Sequence, residues 1–373
     1  MKVLFVGVYR DGTGWGNSAI HHILALDSVG VDVVPRSVSI GNLSFKEPPD
    51  RILELEKKSD KDCDVLIQCV TPDYFIYDGR YRNIGLVATE NRNVVYRRWG
   101  QNMNLMDELW VNNPDSKQCL LAGDLHGNPI TKPIHVHPIP MNLDVNTTRK
   151  MVLPCTSNTF KFYYCGELIQ RKGIRQLLQA FHSEFRYNEA VALVVKLTHP
   201  SLSPLDLENW FNAIATKVKQ ELGIYSDLRH FRKEIVFTNY MPYDDLQGLY
   251  NSCDCFCIPS HGESWSIPAA EAICHNNPVI CTDAVGCSSY IKDAAYILES
   301  EPEYMCFDES LRNPLLIGDE LWSSINVTKL RNIMRQVYED RELFQKKKEA
   351  CQTVKQQFSY EKVGKLLKAT LEC

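Results

Sequence analysis

The chain has 373 residues, 44% of them hydrophobic and 23% charged, and a net charge of −5. Single cores rarely grow beyond about 250–300 residues, so two domains are expected. The acidic balance argues against a general nucleic-acid-coating role while permitting a local basic patch.

In chain order, VLFVGVY (3–9) reads as a buried strand that runs into a glycine-bearing turn, 11–17, and then a helix, SAIHHILALDSVG. Charge and turn residues follow the first strand at once, which argues against a signal peptide. No apolar run approaches the roughly 20 residues that span a bilayer, so a soluble, cytoplasmic protein is expected. VDVVPRSV (31–38) is the next strand, and the polar segment 47–62 holds a short helix. DVLIQCV (64–70), IGLVATE (84–90) and ELWVNN (108–113) are further strands, with NVVYRRWGQNMNLM as a helix between the last two. A helix over 115–123 and a strand over 134–140 close this half, and the polar stretch 141–159 reads as a linker.

The second half restarts the pattern. FKFYYCGEL (160–168), ALVVKLT (192–198), EIVFTNY (234–240), CDCFCI (253–258) and PVICT (278–282) are strands. IRQLLQAFHSEF, DLENWFNAIATKVKQELG and YDDLQGLYNSC are helices, and the chain from 327 onward reads as helical to its end. Strands alternating with helices predict parallel, doubly wound sheets, hence an α/β fold.

Fourteen cysteines are scattered through the chain without a CxxC pair. Cys253, Cys255 and Cys257 alternate along one strand and share a face. No histidine or cysteine partner set at zinc spacing lies near them, so buried thiols in a reducing compartment are expected. Asp62-Cys63-Asp64 has a metal-binding D-x-D look, but its place at a strand start after a charged turn reads as structural.

The segment PSHGESWSIPAAEAICHNNPVICTD (259–283) carries the most chemistry. Glu263 lies in a loop leaving one strand, and Glu271 lies eight residues on, inside the helix that Pro268 can open. Loops at the carboxyl ends of parallel strands form the ligand crevice of open sheets, and a helix N-terminus there favours anions. Taken singly, Glu271 reads equally as a first-turn acid serving the helix dipole, and Glu263 as a solvated loop acid.

The two glutamates, the small-residue helix and the N-P-V-I strand together resemble the donor site of retaining GT-B glycosyltransferases, the large family that includes bacterial mannosyltransferases and sucrose synthases. The resemblance implies two Rossmann-like domains facing across a cleft. These would be an acceptor-binding domain over 1–150, a nucleotide-sugar domain over 151–357, and a C-terminal helix over 358–373 returning to the first domain. It further implies that Glu263 contacts the donor sugar and Glu271 the ribose hydroxyls. The co-substrate would be a nucleotide-sugar, UDP- or GDP-linked, with no cofactor and no metal.

Gln170-Arg171-Lys172-Gly173 follows the first strand of the second half. Relatives place an arginine after the first glycine and a lysine before the second, to neutralise the diphosphate. Lys172 matches, but Glu167 stands where the arginine belongs, so either Arg171 substitutes or Glu167 points away. Solvated charges at a turn are the alternative reading of Arg171 and Lys172. Ser264-Trp265-Ser266 stands where many relatives carry Gly-aromatic-Gly, a loop whose amides hold sugar hydroxyls. Tyr240 falls where the base is bordered, and Lys196 is a further phosphate candidate or a solvent-facing strand-end cation. Gly14 and Gly16, in the turn after the first strand, let backbone approach a ligand; a tight turn without a ligand is the alternative.

On the acceptor side, Glu90 ends its strand where relatives often carry a histidine. Arg80, Arg82, Arg92, Arg97 and Arg98 fall within nineteen residues, interleaved with Tyr81, Tyr96 and Trp99. Glu90 is an acceptor candidate by that position, and Arg92, Arg97 and Arg98 are candidates because arginine forks onto phosphate and stacks on flat rings. The acceptor would then be anionic, such as hydroxymethylated DNA or a phospholipid head group. The alternative is a helix whose arginines pair with acids elsewhere. A non-catalytic sugar-nucleotide-binding protein and a nucleotide-sugar epimerase of the same architecture are the rival functions. Nothing in the sequence sets the oligomeric state.

Overall fold

The computed structural model describes residues 1–40, 46–92, 99–123, 129–304 and 320–373. They form two compact units, Met1–Leu143 with Gln356–Cys373, and Asp144–Lys355.

The first unit is built on six strands: β1 (Lys2–Gly7), β2 (Asp32–Ser37), β3 (Val65–Cys69), β4 (Arg82–Val87), β5 (Glu108–Val111) and β6 (Ile134–Val136). They pair in the order β2-β1-β3-β4-β5-β6, every pair parallel. Pro35 lies in β2, an edge strand, where a missing N–H need not break the ladder. Helices α1 (Gly14–Ser28), α2 (Asp50–Glu56), α3 (Trp99–Met103) and α4 (Pro114–Ala122) supply crossovers. The helix predicted across 93–106 lies partly outside the described residues, and its described portion is the short α3.

The C-terminal helix, Tyr360–Glu372, belongs to this unit although the whole second unit intervenes in sequence. Its Val363, Leu367 and Leu371 join the core of Val3, Phe5, Ile23 and Leu26. A Cβ at Gly364 would stand 2.3 Å from the Ala25 carbonyl oxygen, so only glycine lets this helix reach α1 so closely.

The second unit repeats the plan with β7 (Phe160–Glu167), β8 (Val191–Thr198), β9 (Ile235–Phe237), β10 (Cys255–Ile258), β11 (Val279–Thr282) and β12 (Ala295–Leu298). The order is β12-β11-β10-β7-β8-β9, again all parallel. β7, β8, β10 and β11 are near-continuous apolar runs because helices cover both faces of such a sheet. Those helices are α5 (Ile174–Glu184), α6 (Pro204–Leu222), α7 (Tyr243–Ser252), α8 (Ile267–Cys274), α9 (Ser288–Ile291), α10 (Val327–Glu339) and α11 (Arg341–Val354). A small antiparallel pair, β13 (Pro302–Tyr304) with β14 (Leu321–Ser323), lies outside the main sheet.

Two features differ from the sequence reading. β12 has no counterpart in it, because four apolar residues after a turn carry too little periodicity to separate strand from helix. The stretch read as helical from 327, with a last helix set off over 358–373, is three helices: α10, α11 and the C-terminal helix, α12. Asp340 and Ser359 interrupt it, accepting hydrogen bonds from Leu343 N (2.9 Å) and Lys362 N (3.2 Å) as N-caps. Among the described residues no helix is long and apolar enough to cross a membrane.

Candidate functional site

The order of the second sheet sets the site. β10 pairs with β7 on one side and β11 on the other, so the loops leaving those three strands emerge side by side at their carboxyl ends. They are interlocked by backbone and hydroxyl bonds. Arg171 O accepts from His261 N (2.7 Å) and from the Ser260 hydroxyl (2.9 Å). Glu263 N donates to Ala284 O (3.1 Å), Gly286 N to Glu263 O (3.0 Å) and Cys287 N to Trp265 O (3.0 Å). Gly173 makes the first of these approaches possible. It sits at φ +69°, and a Cβ there would lie 1.9 Å from the Pro259 carbonyl oxygen.

Within this frame Arg171 and Lys172 both reach Glu263. Arg171 Nη1 lies 3.0 Å from Glu263 Oε1 and donates to Gly262 O at 2.5 Å. The Lys172 ammonium pairs with the same carboxylate oxygen, which also accepts from the Ser260 hydroxyl at 3.2 Å. Glu263 is 8% exposed and Arg171 5%. Burial pushes the Glu263 carboxyl up, but the charges of Lys172 and Arg171 outweigh it and hold the group below the usual carboxylate range. Two cations against one anion leave the cluster with net positive charge beside the start of α5.

The solvated-turn reading of Arg171 and Lys172, and the solvated-acid reading of Glu263, are therefore corrected. Arg171 is turned inward onto the loop that carries Glu263, which suits it to holding that loop in place. Glu167 is half-buried at the end of β7.

Glu271 falls in the second turn of α8, whose first turn holds no acid, so the first-turn dipole reading does not apply. One of its oxygens, Oε2, accepts from the Tyr250 hydroxyl at 2.8 Å. Ser264 and Ser266 are buried beside the glutamates, and Trp265 is 2% exposed with its ring against Tyr290 (5.3 Å between centroids). Trp265 thus offers a ligand main-chain atoms rather than its indole. Ser266 occupies φ +77°, in the left-handed region that favours glycine.

The solvent-facing reading of Lys196 is also corrected, since the structure buries it to 4% exposure. Its ammonium donates to Leu197 O at 2.8 Å, Cys165 is its register partner on β7, and burial holds its pKa below the usual lysine value. Tyr240 is 77% exposed in the segment between β9 and α7.

In the first unit, a Cβ at Gly16 would lie 2.4 Å from Asp11 Oδ1 and 2.8 Å from Val8 O, so packing inside the turn already requires glycine there. Gly14 has open space where its Cβ would be. Asp11 Oδ1 accepts from Thr13 N and the Thr13 hydroxyl, closing the turn. Glu90 and Arg92 are half-buried; Arg97 and Arg98 lie outside the described residues. Two of the clustered arginines have acids of their own. Arg80 pairs with Asp78 (2.6 Å), and Arg82 with Glu108 (2.7 Å) and with the Leu371 carbonyl (3.0 Å). Asp64 of the D-x-D accepts from Lys2 N (2.7 Å), and no cluster of potential metal ligands occurs among the described residues.

Sequence reasoning misses Tyr250, Ser260 and His261. His261 is buried, stacks on Trp322 (5.4 Å) and brings its Nδ1 within 2.7 Å of Ser323 O, tying β14 to the glutamate loop. The signal for them is weak: a tyrosine on the buried stripe of α7, and two polar residues within an otherwise recognisable loop.

Residues 152–312, all in the second unit, match the family model of the glycosyl transferases group 1. No curated protein sequence matches the chain. Solved structures with the same fold include sucrose-phosphate synthase from Thermosynechococcus elongatus, 12% identical with a TM-score of 0.63, covering 100% of this chain and 98% of that one. The E. coli trehalose-6-phosphate structure bound with UDP-2-fluoro glucose is 10% identical with a TM-score of 0.68, over 100% and 99%. HepE of Anabaena in complex with UDP-glucose is 13% identical with a TM-score of 0.64, over 100% and 99%. At such identities the likeness is one of fold. The fold is that of the GT-B glycosyltransferases, and the family match falls on the segment that carries the glutamate pair.

Proposed function

We propose that the protein is a retaining, metal-independent glycosyltransferase that moves a sugar from a nucleotide-sugar to a hydroxyl acceptor. The observation that carries this reading is the convergence of Arg171 and Lys172 on Glu263, eight residues before Glu271, within the segment matching the group 1 glycosyl transferases. Similar folds bound to UDP-glucose and UDP-2-fluoro glucose favour UDP as the nucleotide.

Breaking the bond between sugar and diphosphate builds negative charge on the leaving oxygens and positive character on the sugar carbon. Lys172, in a cluster of net positive charge, stabilises the leaving group, and preorganised charge of this kind is commonly the largest single contribution to rate. Arg171 keeps Glu263 and its loop in position. Glu263 orients the sugar, the amides and hydroxyls of Ser264 and Ser266 meet its hydroxyl groups, and Glu271 holds the ribose. Lys196 lies on the strand beside β7 and adds a buried positive charge near the phosphates, and Tyr240 borders the base. Attack on the same face as departure retains the anomeric configuration.

An anionic acceptor rests on Arg92, Arg97 and Arg98, with Glu90 a further residue of the acceptor side. The pairing of Arg80 and Arg82 with acids weakens the wider patch. The test offers radiolabelled UDP- and GDP-sugars with hydroxymethylated DNA, anionic lipid and neutral oligosaccharide in parallel. Transfer to one of them with retained configuration is expected. Acceptor-independent release of an altered nucleotide-sugar would point to an epimerase instead, and tight binding with no turnover to a non-catalytic sensor. Glu271→Ala should raise the Michaelis constant for donor; an unchanged value would remove its ribose role.

A further inference from the structure

β14 lies outside the main sheet, yet it is bound to the loop that carries Glu263. Ser323 N donates to His261 O (2.9 Å), and His261 Nδ1 lies 2.7 Å from Ser323 O, so the two residues exchange a pair of bonds. A carbonyl oxygen can only accept, which places a hydrogen on Nδ1 and leaves Nε2 of the neutral ring as an acceptor. Gln176 Nε2, in the first turn of α5, stands 3.3 Å from that nitrogen. Trp322 stacks on the ring at 5.4 Å between centroids. Burial lowers the His261 pKa, against the Ser323 carbonyl and Glu303 of β13, and the Arg171 charge acts in the same direction as burial. The segment that follows β14 also reaches the basic turn, since a Cβ at Gly173 would lie 2.7 Å from Ile325 Cδ1.

Gly173 directly follows Lys172, and His261 lies two residues before Glu263. The stretch from Trp322 to Ile325 therefore braces both halves of the Lys172–Glu263 pair. We infer that His261 is a positioning residue of the donor site, clipping β14 and α5 to the glutamate loop so that Lys172 keeps its place, a role that rests on Lys172 meeting the diphosphate. Main-chain bonds tie the loop to the turn before α5, and the imidazole carries that tie onward to α5 on one side and β14 on the other. A lysine ammonium rides on a flexible four-carbon stem, so its place is set by the groups around it. A displacement of about 1 Å is enough to weaken a preorganised contact severely.

The test measures UMP and UDP binding by calorimetry, with GMP and GDP in parallel, and takes the diphosphate-to-monophosphate affinity ratio as the report on Lys172. His261→Phe keeps a buried ring without its nitrogens, and losing a well-placed charged contact should lower the ratio about tenfold. In His261→Asn the amide nitrogen takes the place of Nδ1, keeps the bond to Ser323 O and should restore most of the ratio. Trp322→Leu loosens the ring without altering the loop and should shift the ratio the same way as His261→Phe, which keeps the test open if that variant does not fold. His182→Asn removes a buried bond to Glu234 (2.6 Å) near the far end of α5; it should lower the melting temperature and leave the ratio as in wild type. A wild-type ratio in folded His261→Phe or Trp322→Leu would overturn the inference. So would an equal fall in His182→Asn, or a loss in His261→Asn as large as in His261→Phe. Lys172→Ala separates the two failures: if it keeps the wild-type ratio, or if wild type binds neither diphosphate better than its monophosphate, the diphosphate role of Lys172 fails first, and the role of His261 with it.

Discussion

Arg80 and Arg171 are both arginines paired with an acid, and they differ in every respect that matters energetically. Arg80 finds Asp78 two residues away, and its own side chain stands largely in solvent. Arg171 finds Glu263 on a different loop, and both side chains are 6% exposed. A pair formed between sequence neighbours in water is worth little, since the unfolded chain forms it nearly as well and solvent screens it. A pair assembled by tertiary folding and stripped of water is another matter. Removing Arg171 leaves buried Glu263 with one cation, Lys172, in place of two. Arg80 and the basic turn before α5 carry the same charge and do different things in the fold.

The sharpest way to break this comparison is to truncate each arginine. Arg171→Ala leaves Glu263 with Lys172 but strips a donor from it and from Gly262 O, so it should cost about 1–3 kcal/mol of stability in urea unfolding, whereas Arg80→Ala should leave the unfolding midpoint unmoved. Equal shifts would show that burial does not separate the two pairs.

Lys172→Ala comes next. It leaves Glu263 with Arg171 but removes the cation proposed to meet the leaving diphosphate, so transfer should slow on the order of 100-fold. Wild-type single-turnover rates would remove Lys172 from the chemistry.

Acid should act on both units, over a wider pH window in the second. In the first unit, burial holds His22 and His137 neutral, with pKa values lowered from 6.5 to about 4, and in the second unit it lowers His275 likewise to about 4. The unfolded chain then binds protons that the folded chain refuses, so the stability of both units falls as pH drops from about 6.5 towards 4. In the second unit Glu263 is also depressed below its ordinary 4.5. Its contribution is intact above that value and is lost only as pH falls further. Tryptophan fluorescence of single-tryptophan variants reporting on each unit should therefore show the second unit continuing to loosen below about pH 4. A second-unit transition complete by about pH 4 would overturn this.

The smallest effect expected is a gain. Ser266 holds a left-handed backbone that costs a non-glycine residue about 1–2 kcal/mol, so Ser266→Gly should stabilise the chain by roughly 1 kcal/mol in the same urea experiment. A loss would mean that the Ser266 hydroxyl contributes more than the strain removes.

Much of the fold is legible in the chain because local patterns encode it. The long apolar run VALVVKLT reads as a buried strand and forms β8, paired on both sides. β12 and the break after α10 are not legible. A four-residue strand has no period to detect, and a capping residue inside a helical pattern reads as one more solvent-facing side chain. The glutamate-bearing loop is legible through the spacing of Glu263 and Glu271. The bond from Tyr250 is not, because no periodicity says which helix will lie beside another.

The α/β alternation, the glutamate pair and the basic turn are properties of residues within a few turns of one another, and the amino-acid order settles them alone. That Arg171 faces inward, that Lys196 is buried and that Glu271 lies under a tyrosine are settled by tertiary folding instead, through the order of the strands. Placing β10 between β7 and β11 brings loops about ninety residues apart in sequence into hydrogen-bond contact, and desolvation there turns ordinary charges into a site.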